Sequence, residues 1–339
     1  MLPHVAIVGG GMMGQLYVSH LKGINVEPER IHIAEICADM RERILSLVPG
    51  IITYGTIEDI PHDCDIGIIA VPTSSHLQAA RFLIENRISI KDILLEKPLC
   101  PWEQLEEAQE LAGSLNDVNL RIGHLCNGSS AVSGLIEWCD RESYRPSQMY
   151  VEWEKYRKNQ KPDRLTHGFV TDEMTHPLAL AASMARHFGC TQWEIIEAKV
   201  ITKPYANEER QKAAHEWNPL IPLNPNSEAH AKIRFFGDGD LITAHVGGSY
   251  TAEKKNRSMR VVTADRRSAS IQFDHSTPSF EENHDMLCIE RKDPKHISED
   301  KLGNMLGAFM DHRPSDALLS PPDALDLVRM QAAILEMGK

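Results

Sequence analysis

The sequence predicts two domains of mixed α/β structure. The first is a doubly wound parallel sheet over residues 1–124; the second is a C-terminal α+β domain over 125–339 with a large, mainly antiparallel open sheet. Three observations predict this. Up to residue 124, short apolar runs alternate with helix-period stretches. From about 147 to 290, longer β-rich segments follow one another with turn signals between them. A chain of 339 residues is also too long for one ordinary core.

The apolar runs of the first region are, in order, "HVAIV", "RIHIAE", "GIITY", "DIGIIAVP", "KDILLE" and "VNLRIG". Between several of them lie stretches such as "SHLQAARFLIEN" and "PWEQLEEAQELAGSL", the latter opening with Pro101, which suits a first helical turn. Strands joined by helical crossovers make a parallel sheet covered on both faces. The second region reads "SQMYVEWEK", "EIIEAKVITK", "SEAHAKIRFF", "DLITAHVGG", "SMRVVTAD" and "SASIQFDH", with "GDGD" at 237–240 and "ADRRS" at 264–268 as hairpin turns. One helix beginning near Asp172 interrupts it, and residues 205–226, rich in proline and asparagine, read as a long excursion. A last helix at about 321–337, with Pro322 near its start, is expected to pack back on the first domain.

Hydrophobic residues make up 42% and charged residues 25%, the balance of a globular protein in water. The net charge of −12 argues against a general nucleic-acid or anionic-membrane binder, since both need a basic face. No run approaches the length of a membrane span, and the first apolar run lacks a basic leader. The seven cysteines are scattered, odd in number and never in a C-x-x-C pair, which reads as reduced thiols in a cytoplasmic protein. There is no H-E-x-x-H and no Cys/His quartet, so no metal is expected, and "EENHD" at 281–285, which could hold a cation, reads rather as a solvated acidic loop.

"VAIVGGGMMG" sets Gly9, Gly11 and Gly14 in G-x-G-x-x-G spacing around Met12 and Met13, straight after a strand run and opening a helix-like run. In that context one glycine makes the tight turn, one lets a pyrophosphate approach the backbone, and one lets helix and strand pack closely. The N–H groups at the helix start then face the phosphates. This is the Rossmann dinucleotide pattern. Glu35 ends the second strand run about twenty residues on, where a carboxylate accepts from the ribose hydroxyls and repels a 2′-phosphate. NAD is therefore the expected cofactor, with NADP left open by Arg41 and Arg43 close behind.

"LLEKPLC" places Glu96 and Lys97 at the end of the fifth strand run, on the edge where open α/β sheets bind their ligands. Pro98 restricts the backbone of the lysine before it. Further on, "VTDEMTHPLALAA" puts Asp172 four residues ahead of His176, a spacing that shares one helical face. Asp172 as a plain helix cap and His176 as a rim histidine are the structural alternative.

These motifs together resemble the glucose–fructose oxidoreductase and inositol dehydrogenase (Gfo/Idh/MocA) family. The matching stretches are "IVGGGMMG" at 7–14, "AVPTSSHLQAA" at 70–80, "LLEKPLC" at 94–100, Asp172 with His176, and "DALDLVRMQAAILE" near the end. The resemblance implies that Lys97 lies beside the nicotinamide and the substrate, that Asp172 orients the substrate, and that His176 is the catalytic histidine. It implies that Pro72, Thr73 and His76 border the nicotinamide half of the cofactor, and that the second sheet mediates a homodimer or homotetramer. The chemistry suits the residue types. An imidazole with a pKa near ~6.5 takes the hydroxyl proton at neutral pH, and an ammonium steadies the alkoxide.

The sequence departs from the family in three places. Many members carry an acid three residues after the histidine, where this chain has Ala179. Asn127, Gly128, Ser129 and Ser130 replace the family's R-F-N-P core after the sixth strand. The excursion at 205–226 is long, with Tyr205 and Trp217 as lid or packed-loop residues. A basic run at 154–164, with Lys155, Arg157, Lys158, Lys161 and Arg164, reads as a solvated loop or a contact for an anionic substrate. The expected function is NAD(P)-dependent interconversion of a hydroxyl and a ketone on a sugar, cyclitol or related small molecule. Reduction of a C=N bond and a non-catalytic NAD(H) sensor are the alternatives.

Overall fold

The computed structural model describes residues 3–338 except 88, 116, 157–166, 238, 275–282 and 291. The chain divides into two compact units, residues 1–123 with 305–325, and residues 124–304 with 326–339.

The first unit opens with β1 (Val5–Val8), α1 (Met12–Gly23), β2 (Ile31–Ala34), α2 (Ala38–Leu47) and β3 (Ile52–Tyr54). It continues with β4 (Ile66–Ile69), α3 (His76–Asn86), β5 (Asp92–Glu96), α4 (Leu105–Gly113) and β6 (Asn119–Gly123). The six strands are parallel in the order β6-β5-β4-β1-β2-β3. Every residue of β1, β2 and β4 is buried, which is why these strands read as unbroken apolar runs rather than alternating ones. Strand order reverses between β1 and β4, so the crevice for a ligand lies at the carboxyl ends of those two strands.

The second unit holds α5 (Ser130–Arg141), β7 (Pro146–Tyr156), α6 (Phe169–Asp172), α7 (Thr175–His187), β8 (Gln192–Ile201) and α8 (Glu208–Trp217). Then follow β9 (Glu228–Gly237), β10 (Asp240–Ser249), β11 (Thr251–Thr263), β12 (Ser268–Gln272), β13 (Asn283–Ile289) and β14 (Lys295–Glu299). The eight strands run β14-β13-β12-β11-β7-β10-β9-β8. All neighbours are antiparallel except β7 with β10. Along β7 burial alternates: Met149, Val151 and Trp153 face the core under α7, while Gln148, Tyr150 and Glu152 face away.

The chain ends with α9 (Lys301–Met310), β15 (Leu318–Leu319) and α10 (Pro321–Met337). Residues 305–325 rejoin the first unit, where β15 pairs antiparallel with β6, and α10 belongs to the second unit from Asp326 onward. The single helix expected to begin near Asp172 is also divided. Asp172 ends α6, and α7 starts only at Thr175. Pro177 is the physical cause, because it has no N–H to give the carbonyl of Glu173 and its ring crowds that carbonyl in a continuous helix. The 205–226 excursion contains α8, capped by the Asn207 side chain on the Arg210 N–H at 3.1 Å.

Candidate functional site

At the carboxyl edge of the parallel sheet, three neighbouring strands deliver three candidate segments. Gly9, Gly11, Met12, Met13 and Gly14 follow β1, Pro72 and Thr73 follow β4, and Lys97 follows β5. The glycines divide their work as the spacing requires. Gly9 has φ +101°, and a Cβ there would lie 2.6 Å from the Ala70 carbonyl oxygen. A Cβ on Gly14 would lie 2.1 Å from the Gly9 carbonyl oxygen, so α1 sits directly on the turn. A Cβ on Gly11 would meet nothing within 4 Å. Gly11 is also the N-cap of α1 and supplies no side-chain cap, so the backbone N–H groups of the first turn face the open side. That cradle fits a dinucleotide pyrophosphate. Met12 is exposed and Met13 half-buried on the same turn.

At the end of β2 both oxygens of Glu35 accept backbone hydrogen bonds, from Gly10 and from Cys37, each at 2.8 Å. The carboxylate thereby ties the glycine loop to the strand end and retains lone pairs for further donors. Arg41 turns back, donating to the carbonyls of Glu35 at 2.6 Å and Ile36 at 3.1 Å.

The lysine turn is held from two sides. Glu96 accepts from the Tyr17 hydroxyl of α1 at 2.5 Å. Burial pushes the Glu96 carboxyl up, while the Tyr17 hydroxyl and the Lys97 ammonium oppose that rise. His76, at the start of α3, is only 1% exposed; its ring nitrogens lie 2.7 Å from the Pro98 carbonyl and 3.0 Å from the Val71 carbonyl. It thus links the end of β4 to the turn after β5, across the cis bond between Lys97 and Pro98. Burial, aided by the Lys97 charge, pushes His76 down to about 4 against the pull of its carbonyl partners, so the ring is neutral at pH 7. A folded-state pKa below the unfolded one binds fewer protons. Its contribution to stability is therefore fully present above about pH 6.5 and is lost as pH falls from there toward 4.

In the second unit, the segment carrying Asp172 is fastened by backbone contacts. Asn226 accepts from the Val170 N–H at 2.7 Å through its side chain and from the Phe169 N–H at 2.8 Å through its carbonyl. Buried Gln331 of α10 donates to the carbonyls of Val170 at 2.6 Å and Thr171 at 3.3 Å. Gly168, with φ +102°, lies so close to the Asn226 amide that a Cβ would come within 2.8 Å of it. The Asp172 carboxylate accepts from the His167 N–H at 3.2 Å and meets the Tyr250 hydroxyl at 3.5 Å.

His176 stands on the first turn of α7, a helix with nine of its thirteen residues buried, yet keeps 12% of its side chain exposed. Its ring stacks on Trp153 at 4.8 Å between centroids and meets His124 edge-on at 6.2 Å. Glu173, 2% exposed, sets Oε2 3.9 Å from His176 Nε2. The same oxygen accepts from Trp153 Nε1 at 3.2 Å, and Oε1 accepts from Lys155 at 2.5 Å. Sequence reasoning missed Glu173, Trp153 and His124. Of these only Glu173, a carboxylate just ahead of an apolar helix, left any local signal.

The departures from the expected pattern have structural partners within the second unit. Asn127 donates to the Ala179 carbonyl at 3.3 Å and to Ser183 at 2.8 Å, clamping α7. Ser129 caps α5 on the Ala131 N–H and donates to Asp285 at 2.5 Å. Ser130 bonds Glu299 through both its N–H and its hydroxyl. Ala179 is fully buried. Asp285 is also fully buried, in β13 against Lys301, which corrects its reading as part of a solvated loop; residues 281 and 282 of that cluster lie outside the described residues. Of the basic run at 154–164, residues 157–164 lie outside the described residues. Trp217 is 74% exposed, while Tyr205 packs on Tyr250 at 4.9 Å. None of the seven cysteines forms a disulfide, no described helix is long and apolar enough to cross a membrane, and no metal-ligand cluster occurs among the described residues.

No curated protein matches the chain. Similar solved structures include a UDP-N-acetylglucosamine 3-dehydrogenase from Acidithiobacillus ferrooxidans, 15% identical, with all of both chains covered and a TM-score of 0.71. An oxidoreductase from Thermotoga maritima is 15% identical over 100% of this chain and 97% of its own, with a TM-score of 0.74. A 3-ketoreductase from Actinomadura kijaniata, in complex with NADP and TDP-benzene, is 13% identical over 98% and 97%, with a TM-score of 0.72. At such identities the likeness is one of fold. Residues 4–124, which hold the glycine cradle, Glu35 and Lys97, match the Gfo/Idh/MocA model, described as an oxidoreductase family with an NAD-binding Rossmann fold. Over residues 4–124 the chain is accordingly similar to the NAD-binding Rossmann domain of the Gfo/Idh/MocA oxidoreductases, an NAD(P)-binding fold.

Proposed function

We propose that this oxidoreductase interconverts a hydroxyl and a ketone on a sugar, cyclitol or related small polar metabolite. The observation that carries the reading is the open cradle at Gly11 and the strand-end lysine at position 97 on one edge of one sheet. Bound NAD(P) supplies the hydride acceptor or donor at nicotinamide C4. Gly9, Gly11, Met12, Met13 and Gly14 hold its phosphates, Glu35 the adenosine ribose, and Pro72 and Thr73 the nicotinamide half. Lys97 stabilises the developing alkoxide, His176 takes the hydroxyl proton, and Asp172 orients the substrate hydroxyl. Buried His76 and Glu96 serve by holding the lysine turn. The sugar dehydrogenase and ketoreductase among the similar folds support the substrate class. The test is a polyol, cyclitol and nucleotide-sugar panel followed by NADH absorbance. One class should turn over, and His176→Ala should lower kcat by about 10²–10⁴-fold. Unchanged turnover in that variant would remove His176 from the mechanism.

Reduction of a C=N bond is the second reading. It is favoured by the buried Ala179, which leaves no acid at that position for a sugar hydroxyl. A keto- and imino-acid panel that consumes NADH, beside an inert sugar panel, would decide for it.

NAD is the proposed cofactor in preference to NADP, because the Glu35 carboxylate opposes a 2′-phosphate. Glu35→Gln keeps an acceptor and removes the charge. NADP binding should tighten about tenfold, equivalent to about 1.4 kcal/mol, with NAD little changed; titration of cofactor fluorescence would show no such gain if Glu35 has no part in the choice. The outward face of the second sheet is proposed to carry self-association into a homodimer or homotetramer, for which the particle mass in solution is the check.

A further inference from the structure

The described geometry places a second carboxylate, not Asp172, against the candidate base. Glu173 is buried, and its two oxygens point different ways. Oε1 takes the Lys155 ammonium at 2.5 Å, and Oε2 faces both Trp153 Nε1 at 3.2 Å and His176 Nε2 at 3.9 Å. Trp153 is only 1% exposed and presents its ring to the imidazole at 25° between planes. The stack and the carboxylate restrict the imidazole from two directions, and both restraints are tied together through the indole N–H.

We propose that Glu173, balanced by Lys155, is a positioning residue for His176. It fixes the ring against Trp153 and supplies the fixed negative charge that the imidazole meets as it gains a proton. The inference rests on His176 being the general base. A carboxylate 3.9 Å away stabilises the imidazolium, and the ammonium on its other oxygen tempers that effect. Among the described residues, other titratable and charged groups near the ring include His124 at its edge and Arg257, whose guanidinium lies 5.2 Å from the centre of the Trp153 ring. Asp172 and His167 engage each other beside it.

The experiment needs no substrate. Full-length protein labelled at histidine Cε1 is titrated by NMR, and the His176 resonance is identified by its loss in His176→Asn. Glu173→Gln removes the negative charge and should lower the His176 midpoint by about one pH unit. Lys155→Met removes the balancing positive charge and should raise it. Opposite displacements establish the inference, because simple loosening of the ring would move both variants the same way. Displacements of the same sign, or none in Glu173→Gln, overturn it. Should Glu173→Gln fail to fold, Lys155→Met decides alone, with a raised midpoint in favour and an unchanged one against. Glu173→Asp, which keeps the charge, should restore a near-native midpoint. Full activity in His176→Ala would end the general-base reading while leaving the midpoint result standing, so the two failures are separable.

Discussion

Replacing Lys97 by methionine is expected to lower kcat by about 10²–10³-fold, the usual loss when one preorganised donor to a developing oxyanion is removed. The dissociation constant for NADH should change by less than about threefold. Methionine keeps the length and apolar stem of the side chain and removes only the ammonium. The turn itself should survive, because its supports lie elsewhere: His76 between the Val71 and Pro98 carbonyls, and Tyr17 on Glu96. Lys97→Arg should recover little, since a planar guanidinium does not reproduce a compact point charge. Steady-state kinetics on the substrate found in the panel, with NADH binding followed by fluorescence, tests both parts. A kcat within about threefold of the native value would deny the lysine a role in the transition state.

The second large effect is on stability. Lys301 and Asp285 are both fully buried, with Nζ 2.7 Å from the carboxylate. Asp285 also accepts from the Ser129 hydroxyl at 2.5 Å and the Asp274 N–H at 2.9 Å, and Lys301 lies over the Phe273 ring at 5.6 Å. Removing one partner of such a pair leaves an uncompensated buried charge, so Lys301→Met should cost about 3–5 kcal/mol. Adding Asp285→Asn to Lys301→Met should be less damaging than the sum of the single changes. Urea unfolding followed by tryptophan fluorescence reports on the right part of the molecule, because four of the five tryptophans (Trp138, Trp153, Trp193 and Trp217) belong to the second unit. A loss below about 1 kcal/mol in Lys301→Met would mean that the pair is not what holds β13 to the start of α9.

The candidate residues differ in how far they could be read without coordinates. The glycine cradle, Glu35 and Lys97 each sit at the end of a short apolar run. Their place on the sheet edge follows from strand polarity alone. Asp172 and His176 were visible as a pair, but the shared helical face was not realised, since Pro177 splits α6 from α7. That break was present in the letters and was outweighed by the attraction of the i, i+4 spacing. His76 was visible as a histidine after the fourth strand, whereas its burial and its grip on Pro98 were not.

What the sequence by itself determined is the part governed by neighbours along the chain. That part comprises the alternation of fully buried strands with helices, the hairpins of the second sheet, and the turn that only glycine allows at position 9. Only the tertiary structure decided the rest: the pairing of β7 with β10, the return of residues 305–325 to the first unit, the buried ion pair joining Asp285 to Lys301, and the gathering of Glu173, Lys155, Trp153 and His124 around His176. The physical reason is common to all four. Helix period and turn geometry are set by local sterics over a few residues, whereas a buried charge becomes tolerable only when distant segments bring it a partner, and no local pattern specifies which partner that will be.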